Sequence, residues 1–211
     1  MTESKFEPAP IGLHPAICCT LIDMGTQARK YGEDVKIGKH WFIQWELLIE
    51  EKQPNGDAFT VGKDWLNSGS DKSNMQKDLT AWRGRKLTVE ETKETFDICS
   101  VVGSTCMLNI THELSKDGSR TYAKVASISP IMKGLALPKP TLAPKLFVMH
   151  DKEPHNFRED VLESLYEKLR VEVKSSPEYE CLKAGRKLST LKPQKAAPAA
   201  ADKEFDDEIP F

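Results

Sequence analysis

Cationic and aromatic side chains recur together at four places along the 211 residues. Arg29, Lys30, Tyr31 and Lys36 fall in one basic stretch, followed directly by Lys39 and Trp41. Lys63 and Trp65 end a strand-like segment, and Arg83, Arg85 and Lys86 cluster after a helical one. Arg120, Tyr122 and Lys124 alternate, which in a strand puts all three on one face. Ammonium and guanidinium groups neutralise phosphates, and aromatic faces stack on bases whatever their sequence. This interleaving is therefore the chemistry of a groove for single-stranded nucleic acid. The rings also have a packing alternative. Trp45 shares a face with Ile43 and Leu47 and belongs to a core; Trp41, on the same face, suits either role. Trp82 continues the helical stripe of Met75 and Leu79, whereas Tyr31 and Trp65 sit beside lysines at loop or strand edges and are assigned to stacking.

Catalytic and metal-binding patterns are missing. The chain has no GxxxxGK[ST] phosphate loop, no HExxH and no GxSxG. Cys106 and His112 would share a strand face but have no further partner, and the adjacent Cys18 and Cys19 point to opposite sides of a strand. His14, His40, His150 and His155 show no ligand spacing. No enzymatic activity, cofactor or metal is expected. Five cysteines without a CxxC pair argue against a disulfide scaffold and for a reducing cytoplasm. No run approaches 18 apolar residues, and residues 1–10 lack the basic start and apolar run of a secretory leader, so no membrane association is expected.

These side chains need a scaffold, and the patterning predicts a mainly β one. Residues 13–23 are an apolar strand broken at Gly25, and residues 26–38 read as a basic loop. From Lys39 to Glu50 apolar residues alternate (Trp41, Ile43, Trp45, Leu47, Ile49) against His40, Gln44, Glu46 and Glu50. Pro54-Asn55-Gly56-Asp57 is a turn, and Ala58 to Trp65 returns as a third strand. Met75, Leu79 and Trp82 mark a helix capped by Ser70 or Asp71; Thr88 to Glu91 match a second capping box, with Val89 and Phe96 on one face. Strand character resumes over 98–114, interrupted at Gly103, turns at Lys116 to Ser119 and returns over 120–129. Three strands, a helical insert and two strands is the element order of a five-stranded OB-fold barrel, here residues 1–135; a β-sandwich is the rival. Residues 136–186 supply a proline-rich connector (136–145) and an amphipathic helix over 156–173, with Phe157, Val161, Leu165 and Leu169 on one stripe. That helix either packs on the barrel or forms a homo-oligomeric surface, and Ser176-Pro177 stops it. Residues 187–211 form a disordered linker and an acidic tail.

The near balance of 30 basic and 32 acidic side chains hides that tail, because residues 202–211 hold five acids against one base. Residues 1–135 carry 17 basic and 18 acidic side chains, so a nucleic-acid groove there requires local segregation of charge. The chain ends Asp206-Asp207-Glu208-Ile209-Pro210-Phe211. A flexible acidic stretch is steered to a basic surface, and a terminal phenylalanine supplies an aromatic anchor and a carboxylate for a receiving pocket.

This tip resembles the C-terminal peptide of bacterial single-stranded DNA-binding proteins, acidic residues followed by Ile-Pro-Phe. Asp206, Asp207, Ile209, Pro210 and Phe211 match position by position, and Glu208 stands where that family has aspartate. With its helical insert, extra C-terminal helix and aromatic second strand, the body is more similar to bacteriophage-encoded single-stranded DNA-binding proteins. The resemblance implies a protein that covers single-stranded DNA in replication and recombination within a bacterial host's cytoplasm. It also implies that the tip recruits replication and recombination enzymes of host or phage. An adaptor that uses the tip without holding DNA, or a strand-annealing protein, shares the same tip.

Overall fold

In the computed structural model of the chain, the strand alternation around Trp45 organises a six-stranded sheet. The structure describes residues 7–31, 34–68, 70, 73–86, 88, 97–151 and 158–192, without the side chains of Tyr31 and Asp34. The strands are β1 (Gly12–Tyr31), β2 (Asp34–Leu47), β3 (Thr60–Leu66), β4 (Thr105–Leu114), β5 (Thr121–Ser129) and β6 (Lys145–Phe147). Five run antiparallel in the order β3-β2-β1-β4-β5, and β6 adds to β1 in parallel. β3 and β5, the two ends of that path, approach within 8 Å between Cα atoms. The mainly β expectation holds.

One face of the sheet encloses an apolar core. Trp41, Ile43, Trp45 and Leu47 of β2 join Leu21, Val61, Trp65, Leu108, Ile110 and Val125 there, as the period of two requires. Helix α1 (Asn74–Arg83) adds its stripe of Met75, Leu79 and Trp82 to the same core. Its cap is Ser73 rather than Ser70 or Asp71, because the Ser73 hydroxyl accepts from the Gln76 amide at 3.2 Å. The capping box at Thr88 to Glu91 and the Val89–Phe96 pair fall largely outside the described residues. A 3-10 turn (Ile98–Val101) precedes β4, and Gly103 with φ +83° makes the corner.

The basic loop expected over 26–38 is instead the end of a long hairpin. β1 continues through Gly25 to Tyr31, and β2 begins at Asp34. Gly25 does not end the strand: the register slips by one residue between Asp23 and Gly25, and the Asp23 carboxylate accepts from the Gly25 amide at 2.9 Å. A β-bulge with φ +66° absorbs the conformation that would otherwise break the ladder.

The outer face of the sheet is covered too. Ile22, Met24 and Phe42 form a second core with Phe147, Met149, Val161, Leu162, Leu165, Leu169, Val173 and Tyr179. These come from the segment after residue 136, which is irregular until β6 and then forms α2 (Glu159–Glu163), α3 (Glu167–Lys174) and α4 (Pro177–Lys183). The single helix expected over 156–173 is therefore two, divided at residues 164–166, where the α2 C-cap and the extended Tyr166 interrupt it. As expected, the helix stops just before Ser176-Pro177, with Lys174 as the last residue of α3 and Ser175 as its C-cap. The same pair starts α4, the Ser176 hydroxyl accepting from Tyr179 N at 3.2 Å and proline at the first turn. At the start of the segment expected to be disordered, a 3-10 turn (Leu188–Thr190) is held by Asp151, which accepts from the Leu188 and Ser189 amides. Among the described residues no helix is long and apolar enough to cross a membrane.

Candidate nucleic-acid interface

Two hairpins carry most of the exposed cations among the expected contact residues. In the far half of the β1–β2 hairpin, Arg29 pairs with Lys36 and Lys30 with Val35, so these two pairs project to opposite sides. Lys30 and Lys36 are exposed, and Lys39 is half-exposed with Nζ 3.8 Å from Glu178. Tyr31 closes the strand, described by its backbone alone. In the β4–β5 hairpin Ala123 and Val125 point inward, which turns Tyr122 and Lys124 out. Tyr122 lies opposite Glu113 and Lys124 opposite Thr111, and the Lys124 ammonium pairs with the Glu113 carboxylate. Arg120 is exposed at the start of β5.

The turn of this second hairpin is stiffly built. The Asp117 carboxylate accepts from the Ser115 hydroxyl at 2.5 Å and from the Ser119 amide at 2.9 Å. These hydrogen bonds to the ionised form, Ser115 first, bring the Asp117 pKa down to about 2. Gly118, with φ +70°, supplies the left-handed position of the turn.

Several of the expected contact residues are turned inward. Trp65, expected to stack, is fully buried: its Nε1 donates to Asp78 at 2.7 Å and its ring meets Trp45 edge-on at 6.0 Å. Trp41 lies directly opposite it in the β2–β3 ladder and is 8% exposed, so it takes the core role of its two alternatives. Trp82 also packs on Trp45, at 5.8 Å, and donates to the Thr105 carbonyl at 2.9 Å. Neither Trp41 nor Trp65 offers a face to a base in this conformation. Lys63 turns toward α1 and pairs with Asp78 at 2.7 Å. Arg83, the last residue of α1, is half-buried, while Arg85 and Lys86 beyond it are exposed and the Arg85 guanidinium donates to the Lys86 carbonyl at 3.2 Å.

Arg29 is the clearest departure. Its guanidinium is nearly buried between Asp64 of β3, at 2.9 Å, and Glu172 of α3, at 2.7 Å. Fully buried His40 bonds the other Asp64 oxygen through Nδ1. Burial alone would raise the Asp64 pKa, but the His40 hydrogen bond and the Arg29 charge outweigh it and hold the carboxyl below its ordinary range. Burial likewise works against the Arg29 charge, and the two carboxylates overcome it, raising its pKa. Arg29 fastens β1 to α3 rather than facing solvent.

The polar face of β2, opposite the tryptophans as the alternation requires, is itself covered: His40, Gln44 and Glu46 are buried. The Glu46 carboxylate accepts from the Thr141 amide and hydroxyl and the Leu142 amide at 2.7–2.9 Å, which holds the proline-rich connector against β2. Glu178 does the same for α4, accepting from the Thr26 amide at 2.8 Å and hydroxyl at 2.6 Å. A signal existed: Phe42 is an apolar residue in an otherwise polar row, and Val161, Leu165 and Leu169 needed a partner.

Cys18 and Cys106 are fully buried on the inner face and Cys19 is buried outside that core. Burial pushes all three thiols up, Cys19 to about 11, so they stay protonated at neutral pH. His112 bonds the Ala9 carbonyl at 2.8 Å at the rim. Among the described residues no cluster of His, Cys, Asp or Glu could hold a metal ion. Residues 206–211 lie outside the described residues. No protein-family model matches the sequence, and no curated protein is similar to it.

Proposed function

We propose that this chain binds single-stranded DNA without strong sequence preference through an OB-like barrel, in replication and recombination. The observation that carries the reading is the strand path. β1 pairs with both β2 and β4, the free ends β3 and β5 close to within 8 Å, and a helix lies between β3 and β4. That is the order in which a five-stranded OB barrel closes, and such barrels take oligonucleotides between the β1–β2 and β4–β5 hairpins. Those two hairpins are where Lys30, Lys36, Lys39, Arg120, Tyr122 and Lys124 sit. The tip at Asp206, Asp207, Glu208, Ile209, Pro210 and Phe211, with its likeness to the bacterial and phage DNA-binding families, serves to recruit partner enzymes.

The test is an anisotropy titration of labelled oligo-dT and a matched duplex at several salt concentrations. The reading requires salt-sensitive binding with a clear preference for the single strand. Weak or equal binding of both would discard it in favour of an adaptor that works through its tip. The inward-turned Trp41, Trp65, Arg29 and Lys63 give that second reading its own support, since they remove four of the expected DNA contacts.

A further inference from the structure

The C-terminal segment does not seal the outer face completely. A cleft of 220 Å³ remains between β2–β3 and the α2–α3 junction, its walls including Thr20, Gln44, Thr60, Lys145, Tyr166 and Leu169. Gln44 is 93% buried, and its side-chain Nε2 has no hydrogen-bond partner among the described residues. Buried donors are almost always satisfied, so an orphan lining a cleft points to an absent acceptor. Tyr166 is 49% exposed although it borders this cleft, a large aromatic face left open to solvent. Lys145 adds a cation, its Nζ 3.1 Å from the Ser164 carbonyl. Among the described residues no aspartate or glutamate lines the cleft.

An aromatic platform, a cation and one buried amide donor, without an opposing carboxylate, match the chemistry of a nucleotide unit. We infer that this cleft receives one base of a bound single strand, an inference that rests on the DNA-binding reading above. The base stacks on Tyr166, a ring carbonyl oxygen accepts from Gln44 Nε2, and the adjoining phosphate lies near Lys145. The C-terminal segment then does more than brace the barrel: it completes the DNA path across a sheet face that it otherwise covers.

The experiment is photocrosslinking of the full chain with oligo-dT carrying a single 5-iodouracil, followed by peptide mapping. The adduct is expected on the peptide containing Tyr166. Tyr166→Ala, at an exposed position, is expected to weaken oligo-dT binding by about 5- to 100-fold, with Tyr166→Phe retaining it. Gln44→Met removes the orphan donor and is expected to weaken binding without loss of the fold. Adducts elsewhere, with unchanged affinity in Tyr166→Ala, would overturn the cleft while leaving the DNA-binding reading intact. Equal crosslinking by free 5-iodo-2′-deoxyuridine at the same concentration would reassign the cleft to free nucleosides and overturn the inference. Failure of the unmodified chain to bind oligo-dT removes the reading and the inference together.

Discussion

Arg29 and Glu172 lie 143 residues apart in the chain and 2.7 Å apart in the fold. Their side chains are 11% and 6% exposed, so the pair joins the sheet to the C-terminal segment where water barely reaches. Removing one partner of such a pair strands the other charge, which costs about 3–5 kcal/mol. Arg29→Met is therefore expected to lower stability by about that amount in urea denaturation, because Glu172 and Asp64 lose their cation together. Unchanged stability would mean that α3 is held by apolar packing alone.

Gly25 gives a sharper steric test of the same junction. A Cβ there would meet Ser176 Cβ and Oγ at 2.6 Å and Glu178 Oε2 at 2.9 Å, at a backbone φ of +66°. Gly25→Ala combines left-handed strain with overpacking and is expected to cost about 2–4 kcal/mol. Gly56 is the control, since its φ is +87° but nothing lies within 4 Å of a built Cβ. Gly56→Ala should show the conformational share alone, about 1–2 kcal/mol. Equal losses in thermal denaturation would remove the close approach of α4 to the bulge as a structural constraint.

The contrast between these two faces of the sheet explains what the sequence alone could and could not reveal. The inner face was legible because Trp41, Ile43, Trp45 and Leu47 alternate without exception, and Met75, Leu79 and Trp82 keep a helical spacing that the core confirms. The outer face was not, because Gln44 and Glu46 are polar residues buried by a segment about 100 residues away, and alternation reports only which residues share a side. The hairpin end was misread for a local reason. Gly25 signals a break in any one-dimensional reading, and only the ladder from Gly25–His40 to Tyr31–Asp34 turns it into a bulge. The candidate site divides the same way: the outward set of Tyr122 and Lys124 follows from alternation, whereas the fates of Arg29, Lys63 and Trp65 depend on Glu172 and Asp78 across long-range contacts.

Acid should loosen this junction through Asp64. Its folded pKa is depressed, so its contribution is fully present above the ordinary carboxylate value and is lost as pH falls through the folded one. Asp23 has the opposite sign: burial comes first among its causes and raises its pKa, so its ionisation works against stability as pH climbs above the ordinary value. Carboxyl-detected NMR titration is expected to separate them, Asp64 below and Asp23 above about 3.9. In the same experiment Asp117 should titrate near about 2. Asp64→Asn should remove much of the stability lost below about pH 4; an unchanged acid limb would place that loss elsewhere.

Cation substitutions should sort the two hairpins from the internally paired lysine. Lys30 and Lys124 face outward, whereas Lys63 is 24% exposed and engaged by Asp78. If phosphates run along the hairpins, Lys30→Ala and Lys124→Ala each reduce the salt dependence of oligo-dT binding by about one unit of slope. Lys63→Ala should leave that slope alone. Lys124 already pairs with Glu113, so DNA must exchange that contact for a phosphate, and Glu113→Gln is expected to tighten binding. A slope that responds to Lys63 and not to Lys30 or Lys124 would move the DNA path off these hairpins.

Deleting residues 206–211 separates the two halves of the proposed function. That segment removes three carboxylates, Asp206, Asp207 and Glu208, together with the Ile209-Pro210-Phe211 anchor. An acidic segment competes with phosphates for cations, and its effective concentration is high because it is covalently attached. The truncated chain is therefore expected to bind oligo-dT as tightly as the full chain or more tightly, most visibly at low salt where the competition is strongest. Phe211→Ala leaves the three carboxylates in place, so on the proposed reading, in which the aromatic anchor carries the partner contact, DNA affinity should stay unchanged while docking of a replication or recombination enzyme is lost. A truncation that weakens DNA binding would make the tip part of the DNA site, and a Phe211→Ala variant that still docks would leave only its charge as the attractant.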